Sequence, residues 1–140
     1  MSREEFLALA DRVEQATGPD RELDCAIRMA VYAPEGSTME QSPINGNWCI
    51  YSGTSFRTGK PALWESHLGR NHSFTASLDA AMSLAEGCGG QVTFFKDGTA
   101  KAFLWQPYPL AIECKAATPA LALCAAALKA RSLTVEDSRG

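Results

Sequence analysis

Histidine is scarce in this chain: His67 and His72 are the only two among 140 residues. A protein metal site needs three or four converging ligands, and nothing stands at a characteristic spacing to complete one around that pair, Cys88 included. The five cysteines, Cys25, Cys49, Cys88, Cys114 and Cys124, are odd in number and have no C-x-x-C spacing. This excludes a disulfide framework and suits reduced thiols in a cytoplasm, with Cys25 and Cys124 as small core residues on helices. A strong charge of one sign is also missing. The net charge of −3 is too mild for a basic nucleic-acid binder or an acidic mimic of nucleic acid. Ser2, Arg3, Glu4 and Glu5 precede any apolar run, and the most apolar stretch is short and interrupted by Lys129 and Arg131. No signal peptide or membrane segment is therefore expected, and the sequence predicts a soluble cytoplasmic protein.

What is present is an ordinary globular composition, 46% hydrophobic and 21% charged, in a chain long enough for one domain with a core of its own. The sequence predicts a single α+β domain over 1–131 and a flexible tail over 132–140. Residues 3–16 carry a helical stripe of Phe6, Leu9, Ala10 and Val13, with Glu4 and Glu5 at the favourable end. Thr17-Gly18-Pro19-Asp20 breaks that helix and caps a second, with stripe Leu23, Ile27, Ala30 and Val31, so the chain opens on a helical hairpin. Residues 34–73 are rich in Gly, Ser, Pro and Asn. Asn45-Gly46 and Thr58-Gly59 are turn signals, Trp48–Tyr51 reads as a strand, and Phe56 as a short extended piece. A stretch of this length should hold short strands of its own, and loops of this kind carry function more often than core elements do.

A third helix runs from about Ser77, with Thr75 or Ser77 as its cap, Leu78, Ala81, Met82 and Ala85 inward and Gly87 just past its end. Asp97-Gly98 between two apolar runs predicts a two-residue type I′ hairpin, which sets Phe95 opposite Ala100 and Val92 opposite Phe103. In that register both faces are largely apolar, so the sheet should be covered on both sides. Leu110–Cys114 supplies a third strand. Thr118 then caps a helix with Pro119 in its first position and six alanines between Pro119 and Arg131 on top of Leu121, Leu123, Cys124 and Leu128. So small-sided an apolar helix must approach a sheet closely. The resulting fold class is α+β, a small antiparallel sheet sandwiched between helical layers.

The segments DRELDCAIRMAVY (20–32), FTASLDAAMSL (74–84) and AATPALALCAAALKAR (116–131) resemble small proteins of the phage ABA sandwich domain family. The resemblance implies an antiparallel sheet between helical layers and a phage or prophage setting. It implies no reaction, and residues 34–73 do not align with the family.

No residue set makes a catalytic constellation. Cys49 with either histidine would be a nucleophile–base pair, but nothing flanking it activates the thiol. Gly87–Gly90 is glycine-rich yet precedes a strand, not the helix N-terminus that binds phosphate. No cofactor and no metal are expected. The aromatic and basic residues of the turn-rich segment, Trp48, Tyr51, Phe56, Arg57, Lys60, Trp64 and Arg70, form the candidate interface. The function expected is that of a non-enzymatic phage or prophage accessory protein that binds a host protein, such as an inhibitor of a bacterial immune complex, for example CRISPR. The alternative is an oligomeric binder of a nucleotide signal, with Arg57, Lys60 and Arg70 beside an aromatic platform. The same residues would serve for nucleic acid, though three charges are few for that purpose.

Overall fold

The computed structural model describes residues 2–65, 73–106 and 111–135, and within them the chain forms four helices and six strands. Helix α1 (Arg3–Gln15) begins in a capping box between Ser2 and Glu5 and buries the expected stripe Phe6, Leu9, Ala10 and Val13. Helix α2 (Arg21–Tyr32) is capped by Asp20, whose carboxylate accepts from the N–H groups of Glu22 and Leu23. Helix α3 (Leu78–Leu84) is capped by Ser77, and α4 (Pro119–Thr134) by Thr118, with proline at its first position. Each of these caps satisfies backbone donors that the helix itself leaves open.

The α+β class and the leading pair of helices are as the sequence predicts. The strands divide into two antiparallel sheets of three. The first is β1 (Thr38–Gln41), β2 (Trp48–Thr54) and β3 (Pro61–Glu65) in that spatial order, so the turn-rich segment does hold strands. The second is β4 (Gly89–Phe94), β5 (Ala100–Gln106) and β6 (Ile112–Ala116).

Helix α4 is the centre of the molecule. Residues Ala120 to Leu128 are buried without a break, and Ala130 and Ser132 are buried after them. No single stripe accounts for this, because α4 is enclosed by α1, by α3 and by the β5–β6 surface. Alanine suits such a position, since short side chains let each neighbour's backbone come close on every side. Hydrogen bonds from other elements finish the helix ends. Arg3 Nε donates to Ser132 O at 3.0 Å, and Arg131 Nη2 donates to Leu84 O at 3.2 Å, closing the ends of α4 and α3. Helix continues through Thr134, so residues 132–134 belong to the fold rather than to a tail.

The β4–β5 hairpin differs from the expected one by a single residue. Phe95 N–H donates to Thr99 O at 2.8 Å and Gly98 N–H donates to Phe95 O at 3.0 Å, enclosing three loop residues, Lys96 to Gly98. Gly98 has φ +90°, and Asp97 Oδ1 accepts from both Thr99 N (3.0 Å) and Thr99 Oγ1 (2.6 Å). The extra loop residue shifts the pairing to Phe94 opposite Ala100 and Val92 opposite Ala102. A one-residue slip exchanges the faces of one strand relative to the other. Val92, Ala100, Ala102, Leu104, Cys114 and Ala116 thereby share the face towards α4. Gln91, Thr93, Lys101, Phe103, Glu113 and Lys115 share the other, where Lys101 Nζ meets Glu113 Oε1 at 2.7 Å. Among the described residues, the cover expected on both faces is thus present on one. Gly90 is sterically required, as a Cβ there would lie 2.0 Å from Phe103 O.

Two further expectations shift. Helix α3 buries Ala80, Ala81 and Leu84, leaving Leu78 and Met82 exposed. Helix α2 buries the continuous run Leu23 to Ile27 because it is covered on two sides. Leu23, Ala26 and Ile27 join the main core, while Cys25 packs with Ile50 beneath the first sheet.

Candidate binding surface

The two loops of the first sheet are built alike. In Ser42–Asn47, Ser42 N–H donates to Asn47 O (2.7 Å) and Gly46 N–H to Ser42 O (2.9 Å). In Ser55–Lys60, Ser55 N–H donates to Lys60 O (2.8 Å) and Gly59 N–H to Ser55 O (2.9 Å). The side chains repeat as well. Ser42 Oγ and Ser55 Oγ accept from the N–H two residues on, each at 3.3 Å. Asn45 Oδ1 and Thr58 Oγ1 accept from Asn47 N (3.0 Å) and Lys60 N (3.3 Å). Gly46 and Gly59 take the left-handed conformation, at φ +73° and +69°. The shared sequence pattern is Ser-x-x-(Asn/Thr)-Gly, in which hydroxyl and amide side chains stand in for missing ladder bonds.

Each of these self-bonded loops carries a fully exposed apolar side chain, Ile44 in the first and Phe56 in the second. Phe56 lies in the turn and not on an extended piece, with exposed Arg57 and Lys60 in the same loop. Tyr51 pairs with Leu63 across β2–β3, and Leu63 is exposed. Desolvation, and then the neighbouring Cys49, push the Tyr51 phenol above its ordinary value. It therefore remains a hydrogen-bond donor at physiological pH.

The tryptophans have other tasks. Trp48 packs with Met29, Ala33 and Met39 against the Cys25–Ile50 cluster, where it helps hold the sheet to α2. Trp64 lies where the β2–β3 register shifts, and its ring stands 5.2 Å from the Arg28 guanidinium. Tyr32 meets the same guanidinium at 4.6 Å, and Glu65 Oε2 accepts from Arg28 Nε at 3.2 Å. Arg28 is thus clamped between α2 and β3 by two rings and a carboxylate, and Trp64 serves that clamp. Arg70, His67 and His72 lie outside the described residues. Of the candidate interface, the structure brings together Phe56, Arg57 and Lys60 on one tip and places Tyr51 on the adjoining strand. The sequence reading missed Ile44 and Leu63; an isoleucine inside the turn SPINGN was the available signal for the first.

No disulfide links the five cysteines. Burial pushes the Cys25 and Cys114 thiols up to about 11. It raises Cys124 further, and that thiol donates to Phe74 O at 3.2 Å. Thiols so placed stay protonated at neutral pH and do not serve as nucleophiles. Cys49 is buried on β2. Among the described residues no group of three His, Cys, Asp or Glu side chains converges as a metal site would require. None of the described helices is long and apolar enough to cross a membrane. An apolar groove of about 330 Å³ runs between α3 and β4, lined by Leu78, Met82, Ala85, Cys88, Val92 and Leu104 among others.

No protein-family model, curated protein or solved structure matches the chain.

Proposed function

We propose that the chain is a non-enzymatic binding module of phage or prophage origin that acts on a host protein in the cytoplasm, bacterial immune complexes such as CRISPR being the class of target. The contact would be made by the β2–β3 loop and the adjoining strand surface, through Phe56, Arg57, Lys60, Tyr51 and Leu63. One observation carries this reading: a phenylalanine stands fully in solvent on a loop fixed by its own hydrogen bonds. Burying such a ring against a partner contributes about 1.5–3 kcal/mol. A loop already rigid loses little entropy on docking, so more of that gain is kept as affinity. The matching partner site is an apolar pocket with carboxylates at its rim for Arg57 and Lys60. The phage setting is supported by the family resemblance alone. A nucleotide binder gains less support, because Arg57 and Lys60, which that reading needs in a pocket, stand exposed on a loop tip.

The test places a photo-crosslinking amino acid at Phe56 and, separately, at Gln91 on the second sheet, in cells of a bacterial host. The expected result is a discrete protein adduct from position 56 that Arg57→Ala with Lys60→Ala weakens and that position 91 does not give. Equal adducts from both positions, or one indifferent to the paired alanines, would overturn the assignment.

A further inference from the structure

Among the described residues four strands stand at a sheet edge: β1, β3, β4 and β6. Exposed edges invite pairing with another chain, and proteins guard them with charged residues or proline. Three of the four are guarded. β1 carries Glu40, β3 carries Pro61 and Glu65, and β6 carries Glu113 and Lys115. β4 reads Gly-Gly-Gln-Val-Thr-Phe and has neither charge nor proline. Its bulge is confined to the Gly89/Gly90 end, which leaves the rest of the strand regular.

The direction of its backbone groups follows from the hairpin. Phe95 turns its N–H and C=O towards β5, donating to Thr99 O and accepting from Gly98 N. In an antiparallel ladder these directions alternate, so Phe94 and Val92 turn both groups outward from the sheet. The same two residues lie on the face towards the helices. Phe94 is nevertheless 77% exposed, and Met82, across the apolar groove on α3, is 56% exposed.

We infer that β4 is a self-pairing edge, and that a second copy of this chain docks there, β4 against β4 antiparallel, about a two-fold axis through Val92. A two-fold axis normal to the sheet keeps the helix-facing sides of both copies together, and it sets Phe94 of each copy opposite Gly90 of the other. Gly90 has no side chain and lines the groove beside Leu78, Met82 and Leu104. The exposed ring of one copy thus lies over the groove beside Gly90 of the other, twice, as a closed isologous interface demands. Val92 then exchanges both of its outward backbone groups with its own counterpart. This self-complementarity, a ring and the groove-lining glycine it covers four residues apart on one strand, favours a second copy over a foreign strand. The inference is independent of the binding role assigned to the first sheet.

Sedimentation equilibrium on the full chain across a dilution series tests it. The expected species is a reversible dimer of twice 15.0 kDa. Phe94→Lys and Met82→Glu, both at exposed positions, should each weaken the dimer at least about tenfold, as the loss of a central contact does. Ile44→Ser, at an exposed apolar residue of the other sheet, should leave it unchanged. Circular dichroism confirms that each variant is folded. A monomer at every concentration, including the case where a foreign strand uses the edge instead, overturns the inference. So does a dimer that Ile44→Ser weakens and that Phe94→Lys and Met82→Glu leave intact.

Discussion

Asp24 is a carboxylate almost wholly out of solvent, and its removal should be the most damaging single polar change in the molecule. Its Oδ1 accepts from Thr75 N at 2.8 Å and from Thr75 Oγ1 at 2.7 Å, while its Oδ2 meets Arg21 Nη1 at 3.3 Å. Thr75 Oγ1 in turn accepts from Asp20 N at 2.9 Å, so this group pins the start of α2 to the chain entering α3. Hydrogen bonds to a charged acceptor contribute about 1.5–3 kcal/mol each, and a stranded buried donor adds its own penalty. Against this stands the relief of a desolvated carboxylate, and the exposed Arg21 contributes little. Asp24→Ala should therefore cost about 3 kcal/mol. Asp24→Asn keeps an oxygen for both Thr75 donors and should cost about 1 kcal/mol.

The pH dependence separates charge from geometry. Burial, the largest influence, holds the Asp24 carboxyl above its ordinary 3.8 in spite of the bonds from Thr75 and Arg21. The folded state thus keeps its proton to higher pH than the unfolded one. Stability from that difference is complete below the unfolded value and is lost as pH rises through the folded value. Asp24→Asn titrates in neither state. In urea unfolding, the wild-type stability minus that of Asp24→Asn should fall as pH rises through the carboxylate range and level off above it. A difference that rises with pH, or an alanine variant costing less than about 1 kcal/mol, would refute the account.

Ala125→Leu should cost about 1–3 kcal/mol in the same assay, since α4 is enclosed where Ala125 is fully buried and has no room for three more carbons; a neutral outcome would mean that the enclosure is loose. In a thiol titration of the native protein at neutral pH, Cys25, Cys114 and Cys124 should stay unmodified until denaturant is added, whereas half-buried Cys88 reacts first; prompt labelling at Cys124, read by peptide mass, would contradict the burial. Amide exchange should release the β1–β2 ladder before the β5–β6 ladder, because the first sheet meets the rest of the core through Cys25, Ile50 and the Arg28 clamp, and the second lies on α4. The reverse order would show that the first sheet is the more firmly held.

The helices were legible because their signals are local. Asp20, Ser77 and Thr118 each act within four residues of themselves, and the stripe on α1 needs only its own period. The hairpin register was not, because Asp-Gly serves both a two-residue and a three-residue loop. The choice rests on Thr99, whose N–H and hydroxyl bind Asp97 and make the longer loop the better bonded one. The inward face of α3 was misjudged for a related reason. Its seven residues hold apolar side chains most of the way round, and only the neighbouring α4 selects Ala80, Ala81 and Leu84. In the turn-rich segment the turns could be read but the exposure could not. Trp48 and Trp64 look as available as Phe56 until α2 is placed beneath them, and the clamp on Arg28 joins residues more than thirty apart in sequence.

The alanines of α4 explain why the molecule has surfaces to spare. A helix of larger residues would have needed one broad apolar face against one sheet. A helix of small ones takes neighbours on several sides, and its leucines fill the gaps they leave. Helix α1 supplies Phe6, Leu9 and Val13 to that enclosure, α3 supplies Leu84, and β5 and β6 present Ala100, Ala102, Cys114 and Ala116, small residues that match the small helix. A centre closed in this way does not require the second face of β4–β6 or the outer side of β1–β3. Those surfaces are therefore free to vary without loss of the core, and exposed apolar side chains stand on them, Leu63 on one sheet and Trp105 on the other, with Phe56 on a turn and Phe94 on the edge strand β4. Apolar groups kept in water on self-bonded turns and an unguarded strand gain nothing from folding. Contact with a partner would supply that gain, so the proposed recognition falls on the sheets and not on the helix that organises the fold.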